Sequence, residues 1–503
     1  MKEKINVFLT GAGGNMGGAA LEMFVTPEQK ARVNLTLLDL PTEANCKKLQ
    51  PYADQYGVNI IWGDLTNYED VLRAVNGADY VLHAAAVIPP LADHDPDLAW
   101  RVNVGAAENI VRAIKAQPDP DTVKLVNIGT VAETGDRLAP IHVGRTGDPV
   151  LPSVFDYYAC TKIEAERIVA ESGLKYWVSL RQTFILTTET KPVPIMFHMP
   201  LDTCFEACSL PDAGRVLVNA TGQDLPEDFW RRFYNIGGGA KSRGVFRDFL
   251  RKSIEITTGQ KMKDVFERRW FTLRNFHCQW YQDSDVLNAY LDHQHYGIDD
   301  FFKDLKANTP WMQRAFTRLI PKKIIKEKVF KPLAFESEDS TMRWAAEDPE
   351  KFAAFYKDQA SFESIPAWGA EDQPTPTWDD HLRLDHGYDE AKPAGQLDLE
   401  DMHSAAEFRG GACLAQEMKA GDLHTPLTWG CAFGHEFQMT PNSVLKGGHW
   451  CPECTPPAWN FDQQARLSPF IAQVWRHQHT PDEDNHYPLD ADLLIGCQVE
   501  IKQ

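Results

Sequence analysis

Six short apolar runs, at residues 5–10, 35–39, 58–62, 80–83, 124–128 and 176–180, are separated by segments long enough to be helices. Most of these runs are too continuously apolar for strands with one wet face, so both faces need cover. Such an alternation predicts an α/β fold, a doubly wound parallel sheet with helices on either side. Helices are expected at 100–115 and 157–172, where the apolar residues recur with helical period.

At 503 residues the chain exceeds the roughly 250–300 at which one hydrophobic core stops growing. Beyond residue 180 the alternation breaks at Pro192, Pro194 and Pro200, and a helix-rich stretch follows. We divide the chain into an enzyme-like domain at 1–332, a segment at 333–397, and a small module with the C-terminal tail at 398–503. Within the first, the Rossmann core is about 1–185 and a substrate region about 186–332. Residues 333–397 are acidic and rich in Trp and Pro, which reads as a connecting or wrapping segment.

The formal charge of −20 opposes attraction to nucleic acid or anionic lipid, so neither partner is expected. The basic run at 321–331 reads as a solvated helix face. The chain enters its first apolar run by Ile5, leaving no room for a cleaved leader, and no window approaches 18 apolar residues, so a cytoplasmic location is expected.

The first run leads straight into Gly11-Ala12-Gly13-Gly14-Asn15-Met16-Gly17. Glycines 11, 14 and 17 suit a tight strand-to-helix turn whose bare backbone lets a pyrophosphate reach the helix N-terminus, with Asn15 and Met16 opening that helix. The second run ends at Asp39, 22 positions after Gly17. A carboxylate there accepts hydrogen bonds from ribose hydroxyls and repels a 2′-phosphate, favouring NAD(H) over its phosphorylated form. Leu40 and Pro41 supply no basic partner for such a phosphate. Asp64 and Leu65, ending the third run, are placed to meet adenine, and Ala84 and Ala85 to bring backbone close to the cofactor.

Tyr158 and Lys162 are four apart on the helix predicted at 157–172, and therefore share a face. Phenol is a poor base near neutrality. An ammonium and a cationic nicotinamide beside it would stabilise the phenolate, making Tyr158 a proton-transfer residue for a secondary alcohol losing hydride.

The motifs TGAGGNMG at 10–17, GDL at 63–65, HAAA at 83–86, RVNVGAAENIV around Asn103, YYACTK at 157–162, LR at 180–181 and YNIGGG at 234–239 resemble the extended short-chain dehydrogenase/reductases, the family of NAD-dependent epimerases and dehydratases. The resemblance implies that the substrate-holding hydroxyl falls on Thr130, that Asn103 lies near the active site, and that helices 100–115 and 157–172 pair two chains into a homodimer. His83 and Arg181 are read as structural. Val131 and Ala132 stand where sugar dehydratases carry Asp-Glu, and Gln182-Thr183-Phe184 replaces the usual Asn and Gly-Pro turn. Sugar dehydration is therefore disfavoured, and the expected activity is an NAD-dependent oxidoreductase interconverting a secondary alcohol and a ketone. An epimerase using the same residues and a non-catalytic NAD-sensing adaptor remain alternatives.

Near the C-terminus, Cys431 and His435 form one pair and Cys451 and Cys454 a CPEC knuckle. Three thiolates and an imidazole are the soft, four-fold donor set of structural zinc, leaving no open position for a reacting water. The spacing resembles small zinc-ribbon modules. His449 would make a fifth ligand, and Cys413 lies far from both pairs.

Overall fold

The computed structural model describes residues 4–188, 192–222, 225–369, 375–455 and 459–487, with the side chains of 313–315 left aside. Part of the acidic segment, 370–374, and the end of the C-terminal tail, 488–503, lie outside the described residues.

Seven parallel strands form one sheet: β1 (Ile5–Thr10), β2 (Val33–Asp39), β3 (Asn59–Trp62), β4 (Tyr80–His83), β5 (Lys124–Thr130), β6 (Trp177–Gln182) and β7 (Arg232–Ile236). Their order is β7-β6-β5-β4-β1-β2-β3, and every neighbouring pair runs parallel. The chain reverses its winding between β1 and β4, where Thr10 stands opposite His83. A sheet wound outward in both directions from one point leaves a crevice at the carboxyl ends of those strands, where ligands bind. The sheet gains β7 from the segment holding YNIGGG, one strand more than the six apolar runs predict.

Strand periodicity sorts the cover. Val7 and Leu9 face a layer containing Met16, Ala20 and Leu21 of α1 (Asn15–Phe24). Phe8 faces the opposite layer, with Ile110 and Ile114 of α2 (Pro96–Lys115). α2 begins four residues earlier than its apolar pattern, because Asp95 caps it by accepting from Leu98 N–H at 2.9 Å. The helix carrying Tyr158, α3 (Tyr157–Ala170), is capped by Asp156, which accepts from Ala159 N–H at 2.8 Å.

The segment expected to connect or wrap is helical in its first half, with helices Lys331–Phe335, Thr341–Glu347, Pro349–Tyr356 and Gln359–Glu363. Its Trp344, Phe355 and Tyr356 are buried in a core that also takes Val131 and Phe197 from the N-terminal part and Phe461 and Trp475 from near residue 487. Apolar side chains alternate there with acids, and several of the apolar ones, Met342 and Leu384 among them, turn inward.

The C-terminal module has its own core around a three-stranded antiparallel sheet, β8 (Ala412–Cys413), β9 (Leu427–Gly430) and β10 (Glu436–Met439). It lies directly on the enzyme-like domain. Gly448, at φ +76°, sits so close that a Cβ there would be 1.9 Å from the Asp148 carbonyl oxygen, and Val150 N–H donates to Gly448 O at 3.1 Å. Only glycine fits that approach.

Candidate active site and metal centre

β1 turns into α1 through the glycines. Gly11 has φ +73°, and a Cβ on Gly17 would lie 2.2 Å from Gly11 O. The turn therefore closes only with bare backbone at both positions. Gly14 caps α1 without a side chain, so the N–H groups of Asn15 and Met16 at the helix start are offered to an anion.

Thr10 organises the other wall. Its hydroxyl accepts from the N–H groups of Ala84 and Ala85, both at 3.1 Å, and meets His83 Nδ1 at 3.0 Å. Burial, and secondarily Lys162, push the His83 imidazole down to about 3. His83 thus stays neutral as a strand-end hydrogen-bonding group, consistent with its structural reading. The motif match leaves Thr10 unassigned, although its place as the last residue of β1 marks it.

At the adenosine end, Asp39 Oδ1 accepts from Leu40 N–H at 2.9 Å and Asn45 Nδ2 at 2.8 Å, while its other oxygen faces Gly13. Asp64 Oδ1 accepts from Thr66 N–H at 2.8 Å, and Asn109 Nδ2 holds Leu65 O at 2.9 Å. One basic group lies beyond the strand end: Lys48, nine positions after Asp39, donates to Gly13 O at 2.6 Å.

At the far end of the crevice, Thr130 closes β5 and Tyr158 opens α3. Burial raises the Tyr158 phenol above its ordinary value, and hydrogen bonding with Thr130 is what opposes that rise. Thr130 Oγ1 also accepts from Ala132 N–H at 3.3 Å, so it serves both the turn and the phenol. Spacing assigned the stabilisation of the phenolate to Lys162. In the structure the Lys162 ammonium, lowered by burial, is held up by the charges of Glu133 and Glu166. Asn103 is fully engaged: its Oδ1 accepts from Val87 N–H at 2.7 Å, and its Nδ2 donates to Val87 O and Thr161 Oγ1 at 3.0 and 2.9 Å. It ties the loop after β4 to α3.

Glu133 belongs to a buried charge cluster that sequence reasoning missed. Its Oε1 accepts from Thr130 N–H at 2.8 Å and its Oε2 lies 3.1 Å from Arg181 Nε. Arg181 also grips Glu166, with Nε 3.1 Å from Oε2 and Nη2 2.5 Å from Oε1, and Ser179 Oγ donates to Glu166 at 2.7 Å. Glu133, Glu166 and Arg181 are all fully buried. Gly129 makes the room, since a Cβ there would be 2.8 Å from Glu133 and 3.3 Å from Glu166. Burial, then Glu166, raise the Glu133 carboxyl to about 8. Despite burial, Arg181 and then His449 hold Glu166 well below the ordinary carboxylate range.

The cluster ends in the C-terminal module. His449 Nε2 lies 2.8 Å from Glu166 Oε1, and Arg181 Nη2 donates to Gly447 O at 2.7 Å. His449 is thereby turned away from the cysteines, two residues before Cys451.

The cysteines and His435 do converge. Cys431 Sγ is 3.4 Å from His435 Nδ1 and 3.7 Å from Cys454 Sγ, and Cys451 and Cys454 lie 3.6 and 3.3 Å from the same nitrogen. Ligands at about 2.1–2.3 Å from a tetrahedral zinc stand roughly 3.6–3.8 Å apart. The four donors match that spacing with small adjustment, and Cys413 is not among them.

Together, the glycine turn, the strand-end acid and the Thr-Tyr-Lys group define a Rossmann-type dinucleotide-binding domain. Residues 7–184 match the NAD dependent epimerase/dehydratase family. Among curated relatives, 3 beta-hydroxysteroid dehydrogenase type 7 of Mus musculus is 26% identical over 167 residues, covering 33% of this chain and 44% of the relative. The 2-alkyl-3-oxoalkanoate reductase of Shewanella oneidensis is 29% identical over 170 residues, covering 33% and 39% respectively. The chain thus spans less than half the length of these relatives. A solved structure of dTDP-glucose 4,6-dehydratase from Bacillus anthracis in complex with NAD aligns with TM-score 0.48 and 15% identity over 61% of this chain and 98% of that one.

Proposed function

We propose that the protein is an NAD(H)-dependent oxidoreductase that interconverts a secondary alcohol and a ketone, with Tyr158 moving the proton. The observation that carries this reading is the placement of Thr130, Tyr158 and Lys162 at the carboxyl end of the sheet, in the same crevice as the glycine turn. Names of relatives, a hydroxysteroid dehydrogenase and an oxoalkanoate reductase, are in keeping with it.

The cradle fits NAD: the turn excludes Cβ atoms where a pyrophosphate approaches, and Asp39 retains acceptor capacity for ribose hydroxyls. Bound there, NAD supplies the hydride acceptor and a positive charge. Thr130 holds the substrate oxygen, and Tyr158 Oη takes the hydroxyl proton during oxidation and returns it during reduction. Lys162, whose ammonium burial disfavours and Glu133 and Glu166 favour, supplies the positive field in which a phenolate forms. The substrate is a secondary alcohol or ketone other than a nucleotide sugar, because the acid pair needed for elimination is replaced by Val131 and Ala132.

The four donors of the C-terminal module hold a structural zinc in this proposal, and the module's work is to press His449 and Gly447 against the charge cluster. Oxidation of a panel of secondary alcohols should accumulate NADH in proportion to ketone. Tyr158→Phe should cut turnover by about 10²–10⁴-fold with NADH affinity retained. Unchanged turnover in that variant, or inversion of the substrate without net NADH, would overturn the assignment.

A further inference from the structure

One surface element is inside out. Helix α4 (Trp311–Leu319) leaves Trp311, Met312, Phe316 and Leu319 at 71%, 64%, 67% and 83% exposure. Amphipathic helices bury such a stripe against the core. Here Thr317 and the stem of Arg318 meet the protein instead. Gln260 Nε2 donates to Thr317 O at 3.2 Å, and the Arg318 stem lies so close to Gly259 that a Cβ there would be 2.5 Å from Arg318 Cγ.

The charge beside this stripe is also opposite to the rest of the molecule. Residues 316–331 contain Arg318, Lys322, Lys323, Lys326, Lys328 and Lys331 against Glu327 alone, in a chain of net charge −20. Lys322 and Lys326 are tied to Asp264 and Glu267, while Lys323 and Lys328 are exposed. Ile324 and Val329, exposed at 50% and 48%, extend the apolar surface between them, and buried Ile325 and Phe330 fix the segment to the body. Contiguous exposed apolar surface of this kind marks an interaction site. Protein interfaces are depleted in lysine, whereas Trp, Phe and Leu on one face with lysines alongside is the pattern of a helix lying in a lipid headgroup region.

We propose that α4 and the lysines after it dock the protein peripherally on an anionic lipid surface. The overall negative charge led to the opposite expectation, but attraction to a membrane is decided within about a Debye length of the surface, where the local lysines dominate. Three residues before Trp311, Asn308 Nδ2 ties this region to the body by donating at 3.0 Å to Thr188 Oγ1.

The test is flotation of the full chain with vesicles of phosphatidylcholine alone and with about one third phosphatidylserine, at low and high salt. The wild type should float with the anionic vesicles only, and less at high salt. Phe316→Asp with Leu319→Asp should weaken partition by roughly tenfold or more, as expected for withdrawing two large apolar side chains. Lys323→Glu with Lys328→Glu should abolish the preference for phosphatidylserine. Retained NADH binding certifies that each variant folds. Wild-type protein that stays with the soluble fraction, or variants that float unchanged, would overturn the proposal. So would sedimentation showing that the apolar face pairs two copies, with the aspartate variant monomeric and no flotation by either.

Discussion

Replacing Glu166 by Gln keeps the shape of the buried cluster and deletes its central negative charge. Arg181 is fully buried and pairs with both Glu166 and Glu133. Breaking a buried ion pair costs about 3–5 kcal/mol, because the surviving charge is left uncompensated. Without Glu166 one cause of the raised Glu133 carboxyl is gone, so Glu133 can ionise beside Arg181, and the lower end applies, about 3 kcal/mol at neutral pH. For a domain of this size that corresponds to a fall in Tm of roughly 6–12 °C. The pH dependence has a definite sign. Glu166 is held below the ordinary carboxylate range when folded, so its contribution is complete above an unfolded value of about 4.3 and is lost as pH falls toward the folded one. Urea unfolding of wild type and Glu166→Gln by circular dichroism, from neutral to acid pH, should show a gap that narrows below about pH 4.3. A neutral-pH gap under about 1 kcal/mol, or one that widens in acid, would refute the claim that this charge is what holds the cluster.

Gly17→Ala should cost about 1–3 kcal/mol of stability and lower NADH affinity at least tenfold in a fluorescence titration, since its methyl would overlap Gly11 O. Asp39→Ser should relax the preference for NAD over NADP, with Lys48 available to the 2′-phosphate, as competition binding would reveal. Elemental analysis should find one zinc per chain, lost in Cys451→Ser together with several degrees of Tm.

Short-range features were readable from the residues. The glycine turn, Asp39 at the end of β2, and Tyr158 one helical turn from Lys162 are each written within a few positions of the chain, and β1 to β6 follow apolar runs. The four candidate zinc donors form two compact pairs and are equally visible. What escaped notice depends on distance along the chain. Glu133 resembles an ordinary turn residue until Arg181 is placed beside it, and nothing around His449 signals that its partner lies 283 positions earlier. Lys48 was missed because a helix has to fold it back over Gly13. The aromatics of 331–363 were hidden by acidic neighbours, which remain at the surface while the rings pack inward. The helical period of α4 was there to see, but periodicity says only that one face is apolar, and the usual assumption that this face points inward fails.

The link from His449 to Glu166 also sets an order of events during synthesis. When β6 and α3 have left the ribosome, Arg181 and the two glutamates are already present, but the histidine and the Gly447 carbonyl that complete their hydrogen bonding are still hundreds of residues from being made. A nascent Rossmann domain must wait with an incompletely satisfied charge cluster beneath Thr130. Final rigidity of the catalytic centre therefore arrives late, with the last small module acting as the keystone that sets an otherwise finished arch.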